Sequence, residues 1–207
     1  MKNYYEIFSQ LPDGDYETCI AYLKQQLEYL FADEYRAKFS DDDIRLFEDT
    51  KKRFYTFLFD CTDDYSGDIY SRSARVVGVF GRSNVADTSI YRTRQAQYLG
   101  SFSKIPGYED YDKGHFIPHC NDGQPDHNLY PQLRELNRGF NLQGKLYRSM
   151  ERYCKLNEGV FFFVRPIYDD LTWLPFQIDF GIFTREKGLL LNRFDNRKAN
   201  ASQTKNQ

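Results

Sequence analysis

The sequence predicts an α+β chain, with helices concentrated in its first third and strands in the remainder. Three observations predict it. Between Tyr16 and Lys38, residues Cys19, Ile20, Leu23, Leu27, Leu30 and Phe31 fall on one face of a 3.6-residue period. The later runs Ala74 to Phe80, Gly159 to Val164 and Leu174 to Phe183 are short and rich in β-branched and aromatic residues. Between them lies 100–126, dense in Gly, Pro, Asp and Asn, a long connection of the kind that carries function inside a domain.

Asp15 is placed to cap a helix over Tyr16 to Lys38. Ser40-Asp41-Asp42-Asp43 resembles a capping box and predicts a second helix, with Ile44, Phe47, Phe54 and Leu58 as its stripe. The pair would form a helical hairpin, making 1–71 an acidic helical appendage. Its apolar faces fit either a core or a partner-binding surface. Cys61 to Ser73 reads as a polar loop. A further helix is expected from Gln143 to Leu156, with Leu146, Tyr147, Met150, Tyr153 and Cys154 apolar and Gly159 closing it. Phe176, Ile178, Phe180 and Ile182 alternate with polar or small residues, predicting a strand with one buried face. The main domain is expected over 72–194, with a disordered polar tail over 195–207.

Aromatics reach 17%, with 18 Phe and 17 Tyr, enough bulk for a core and against a wholly disordered chain. No apolar run is long enough for a transmembrane helix, and none follows Lys2 as an export signal would require. The expectation is a chain made in the cytoplasm and not embedded in a membrane, with delivery by another route left open. Cysteines 19, 61, 120 and 154 form no C-x-x-C pair, which predicts reduced thiols. The net charge of −2 hides an asymmetry: residues 1–71 carry 8 basic and 16 acidic side chains, and 72–207 carry 20 and 14. A polyanion would be drawn to the second part.

Chemistry-bearing residues gather in one stretch. Asp112-Lys113-Gly114-His115 is followed by Asn128-Leu129-Tyr130-Pro131-Gln132, by Leu136-Asn137-Arg138-Gly139, and by Tyr147-Arg148-Ser149-Met150-Glu151. An imidazole, an amide oxygen and a helical carboxylate suit phosphodiester hydrolysis. Neutral imidazole takes a proton from water near neutral pH, and Mg²⁺ keeps most of its waters, so one or two protein oxygens hold it.

At these positions the sequence resembles the DNA/RNA non-specific endonucleases of the ββα-metal (His-Me finger) class. Their pattern is Asp-Arg-Gly-His, then Asn-x-x-Pro-Gln, a second Asn nine residues after the first, and a Trp-x-x-x-Glu helix. The resemblance spans about 92–183. It implies a ββα-metal core with an antiparallel sheet and a Mg²⁺-dependent endonuclease, with Mn²⁺ or another divalent cation as substitute. The substrate would be DNA, with RNA left open, cut with little sequence specificity. It further implies His115 as general base beside Asp112, Asn137 as direct metal ligand, Asn128 bracing the adjacent loop, and Glu151 holding metal-bound waters. Arg94 would supply transition-state charge, with Lys113, Arg138 and Arg92 meeting phosphate. Such enzymes serve as secreted scavengers or as toxin domains, which raises an inhibitor or immunity protein as a possible partner.

Two departures stand out. Lys113 replaces arginine, a point charge for a bidentate fork. Lys145, not a carboxylate, occupies the eighth position after Asn137, while Glu151 is the fourteenth; a six-residue insertion over Phe140 to Lys145 would reconcile them. Without it the chain reads as an inactive relative that binds nucleic acid or protein. Simpler readings also stay open: a turn or core histidine at 115, a helix cap at Asn137, a turn asparagine at Asn128, and Glu151 paired with Arg148 or Lys155. His119 and Cys120 beside His115 raise a zinc module as a third alternative, though their spacing makes no ligand quartet.

Overall fold

In the computed structural model the chain opens with α1 (Lys2–Ser9) and α2 (Tyr16–Phe39). The structure describes residues 2–39, 44–49, 55–61, 75–84, 106–121, 123 and 128–198. Asp15 caps α2, its Oδ1 accepting from the Thr18 amide at 2.8 Å. The chain continues as β1 (Ile44–Asp49), β2 (Tyr55–Asp60), β3 (Arg75–Arg82), β4 (Tyr111–His115), β5 (Leu129–Leu133), α3 (Arg134–Arg138) and α4 (Leu142–Leu156). It ends with β6 (Phe161–Ile167), β7 (Gln177–Thr184) and β8 (Gly188–Asp195). The expected α+β class holds, with antiparallel sheets throughout.

Six strands form one sheet in the order β1-β2-β3-β6-β7-β8, and β4 pairs with β5 as a separate hairpin. Every strand of the large sheet runs antiparallel to its neighbour, so adjacent residues of a strand serve opposite faces. On one face Val77, Phe80, Phe161, Phe163 and Phe183 pack against Leu23, Leu27 and Phe31 of α2 and Tyr4 of α1. On the other, Phe162, Val164, Ile178, Phe180 and Ile182 meet Tyr130, Leu136, Tyr147, Met150 and Cys154 of the hairpin and the later helices. Each fully buried Phe or Ile contributes about 1.5–3 kcal/mol. Polar ties back up the first layer: Tyr4 donates to Asp179 at 2.8 Å, Arg193 grips the same carboxylate at 2.6 and 2.8 Å, and Arg165 reaches Glu34 at 2.6 Å.

The helical hairpin expected after Ser40 does not form. Ile44, Phe47, Phe54 and Leu58 fit a helical stripe, but Tyr55-Thr56-Phe57-Leu58-Phe59 is a run of aromatic and β-branched side chains, which suits an extended chain. Pairing with β3 settles it, and β1 joins β2 in register from Ile44↔Asp60 to Asp49↔Tyr55. The large sheet therefore continues across the boundary expected at 71/72. Ser40 to Asp43, most of the Cys61–Ser73 loop and 85–105 lie outside the described residues.

Three smaller corrections follow. Strand β7 is buried on both faces rather than one, because helices cover the sheet from each side. On α4, Leu146 is exposed; the inward face is Gly144, Tyr147, Met150 and Cys154. Residues 195–198, expected in the tail, are held in place. The fully buried Asn196 accepts from Leu133 N at 2.8 Å and donates to the Pro131 and Pro175 carbonyls at 2.9 and 2.8 Å, stitching the hairpin to the end of the large sheet.

Candidate active site

Strand β4 presents the Asp112-to-His115 run to β5 in a fixed register: Asp112↔Gln132, Lys113↔Pro131, Gly114↔Tyr130 and His115↔Leu129. Two of the quoted motifs thus lie side by side. Gly114 is required by that closeness, since a Cβ there would overlap Cβ and Oε1 of Gln132, which is buried. Gly114→Ala is expected to cost about 1–3 kcal/mol through overpacking, read as a lower urea midpoint at unchanged m.

Asp112 is the hub of the hairpin's outer edge. Arg138 grips it with two bonds, Nε to Oδ2 at 2.6 Å and Nη2 to Oδ1 at 2.9 Å. Arg134 adds a longer contact at 3.4 Å, and the Asn137 amide nitrogen donates at 3.3 Å. Burial alone would raise the carboxyl, but the bonds from Arg138 and Asn137 and the nearby positive charge outweigh it and lower the pKa. A carboxylate only accepts, so it fixes which end of the Asn137 amide is nitrogen. Oδ1 is the amide atom turned away from Asp112. Arg138, expected at phosphate, has its fork engaged by Asp112 instead.

Beyond His115 the chain turns through Phe116 and Ile117 into a short 3-10 turn, His119–Asn121. Asn128 closes this loop with both ends of its amide, accepting from Ile117 N at 2.7 Å and donating to Ile117 O at 2.9 Å. It is buried, as a loop brace must be. His115 is half-buried, its ring centroid 6.0 Å from that of His119. Burial, with His119 adding to it, pushes its pKa down to about 3, so the imidazole is neutral at ordinary pH.

Glu151 lies on α4 one turn after the buried Tyr147, whose hydroxyl is 3.4 Å from that of Tyr130. Burial pushes the Glu151 carboxyl up to about 7, against the pull of Arg148. Among the described residues it takes no hydrogen bond or ion pair, so the expected pairing with Arg148 or Lys155 is not made. Arg148 links this helix to α3 by donating to the Asn137 carbonyl at 3.3 Å. The charges of Glu151, Lys155 and Arg148 all act on Cys120, next to His119. A continuous path of neighbours therefore runs from Asp112 through Asn137, Arg148 and Glu151 to the turn beside His115.

Of the residues read as an insertion before the helix, Phe140 to Lys145, those from Leu142 on form the first turn of α4. Only Gly139 to Asn141 connect the helices, and Asn141 caps α4 by accepting from Gly144 N at 2.7 Å. Lys145 projects into solvent from the first turn, away from the inward face. Lys113 is half-buried, and desolvation lowers its pKa. Arg92 and Arg94 lie outside the described residues.

The structure gives four residues a part that the sequence reading did not give them. Arg134 and Arg148 were hidden because cations at i, i+4 or i, i+3 on helices usually face solvent. Gln132 was visible within its motif, but not its burial beside Gly114; its amide nitrogen approaches the Tyr147 hydroxyl without hydrogen-bonding geometry. His119 carried no signal for the orphaned, buried state of its Nε2.

Among the described residues no group of three or more His, Cys, Asp and Glu is placed to hold a metal ion. The Cys120 thiol, pushed by burial up to about 11, stays protonated. The amide oxygen of Asn137 and the Glu151 carboxylate, without a partner among the described residues, are hard donors of the kind Mg²⁺ accepts through retained waters. No helix among the described residues is long and apolar enough to cross a membrane. No protein-family description matches the chain, and no curated protein is significantly similar to it.

Proposed function

We propose that the chain is a divalent-metal-dependent endonuclease of the ββα-metal type, acting on DNA and on accessible RNA with little base readout. The observation that carries this reading is the β4–β5–α3–α4 unit. It pairs the strand ending at His115 with β5, bonds Asn137 to Asp112 on that strand, and brings the charge of Glu151 to bear on Cys120 in the turn that follows His115.

His115 accepts the proton of the attacking water, a task its depressed basicity suits only if the water is already acidified. Asn137 and Glu151 would hold Mg²⁺, which supplies that acidification and neutralises charge on the leaving oxygen. Asp112 holds the nitrogen end of the Asn137 amide, which leaves the oxygen to the cation, and Asn128 holds the loop that follows the base. Lys113, half-buried on β4 two residues before His115, would be the cation that meets the scissile phosphate.

The test is digestion of plasmid and of structured RNA with Mg²⁺ or Mn²⁺, with and without chelator. Cleavage that stops on chelation is expected. A folded, metal-supplied protein that cuts neither substrate defeats the proposal and leaves a binding module as the reading.

A further inference from the structure

Helix α4 carries four cations, Lys145, Arg148, Arg152 and Lys155, against the single acid Glu151. All four are exposed. Their 3-4-3 spacing, at about 100° per residue, confines them to one stripe. Glu151 falls between that stripe and the inward face of Tyr147, Met150 and Cys154, so the Arg148 and Lys155 edge of the stripe borders the candidate site, while Lys145 and Arg152 continue it onto the solvent side of the helix. The charges of Lys155 and Arg148 acting on Cys120 place that edge on the same flank. Among the described residues, no carboxylate pairs with Lys145, Arg152 or Lys155.

Unpaired cations in a row on a protein of net charge −2 call for an explanation. Helices α1 and α2, nearly balanced with four cations and five carboxylates, cover the opposite face of the large sheet. Helix α4, with four cations and one acid, is the more positive side, and a polyanion is drawn to it. From Lys145 to Lys155 the ridge is about 15 Å long, against about 3.4 Å per nucleotide along one duplex strand. It therefore spans roughly four nucleotides.

We infer that Lys145, Arg148, Arg152 and Lys155 form a phosphate track along which one nucleic-acid strand is led past Glu151 into the site. This rests on the nuclease reading above and adds to it where the substrate backbone lies. The contacts carry no base information, so they bind without sequence preference.

The test uses the full chain carrying K145Q, R152Q and K155Q together; Arg148 is kept because it also bonds the Asn137 carbonyl. Binding to a short labelled duplex is measured in chelator across a salt series, so cleavage plays no part. Each lost phosphate contact lowers the slope of log K against log salt by about 0.9 for duplex DNA. The expected result is a slope shallower by about two to three, with KM for cleavage raised and kcat held. R36Q on α2, across the sheet, is expected to leave the slope alone. An unchanged slope in the triple variant, with wild type still binding or cutting, overturns the track and spares the nuclease. A reduced slope in a protein that cuts nothing keeps the track and removes the nuclease. Equal, equally salt-sensitive binding of anionic vesicles or an acidic protein overturns the assignment to nucleic acid. Matching melting temperatures establish that the variant is folded.

Discussion

His115→Ala lowers the cleavage rate about 10²–10⁴-fold, the range for losing a positioned general base. Duplex binding is expected to persist, because the ring makes no hydrogen bond among the described residues and the phosphate contacts lie elsewhere. The pH profile identifies the group further. With His115 pushed down to about 3, imidazole protonation does not set the acid limb. Glu151, raised to about 7 by burial, does: its ionised form is lost as pH falls through that value. Raising Mg²⁺ should move the limb to lower pH, because a cation favours the carboxylate. An acid limb near 6.5 that ignores Mg²⁺ would return the titration to an ordinary histidine and refute this assignment.

The same two groups make opposite contributions to stability. A depressed His115 supplies stability that is complete above its unfolded value of about 6.5 and is lost as pH falls towards 3. A raised Glu151 supplies stability that is complete below about 4.5 and is lost as pH rises to 7. Where the windows overlap, each is worth at most about 1.4 kcal/mol per pH unit, and the slopes cancel. Wild type is therefore expected to melt at nearly constant temperature between roughly pH 4.5 and 6.5 on these groups' account. His115→Ala should become more stable on acidification through that window, and Glu151→Gln less stable.

How much of this was legible in the letters varied with the range of the causes. Helix α2 was readable because its stripe and Asp15 cap are local, and α4 because its period is, although its caps are Asn141 and Asn157 rather than Gly159. Strands β1 and β2 were not: Ile44, Phe47, Phe54 and Leu58 obey a helical period, and only pairing with β3, remote in sequence, makes them extended. Strand β5 was hidden because its Pro131 argues against a strand interior. The hairpin tolerates it because Pro131 faces Lys113 on a two-stranded ribbon with an open edge. At the site, order and spacing nominated the side chains. Sequence could not show that Arg138 is spent on Asp112, since that bond depends on how α3 lies against β4.

Asn128→Ala is expected to destabilise the protein by about 2–5 kcal/mol and to reduce kcat with it. The amide side chain satisfies two buried main-chain groups of Ile117, and alanine leaves both unpaired at about 1–3 kcal/mol each. Asn128 is buried, as are Phe116, Ile117 and Leu129, so the two Ile117 groups are not handed to bulk water. His115 stands two residues before Ile117, so a loosened loop misplaces the base, and the loss should fall on kcat more than on KM. Asn128→Asp separates acceptor from donor. It keeps an oxygen for Ile117 N but sets a carboxylate against Ile117 O, a contact that only the protonated acid repairs. Its folded pKa should be raised, so the variant gains stability as pH falls, whereas Asn128→Ala does not. If Asn128→Ala melts within a degree or two of wild type, the loop is not held by this amide, and the geometry that places His115 must come from the β4–β5 register alone.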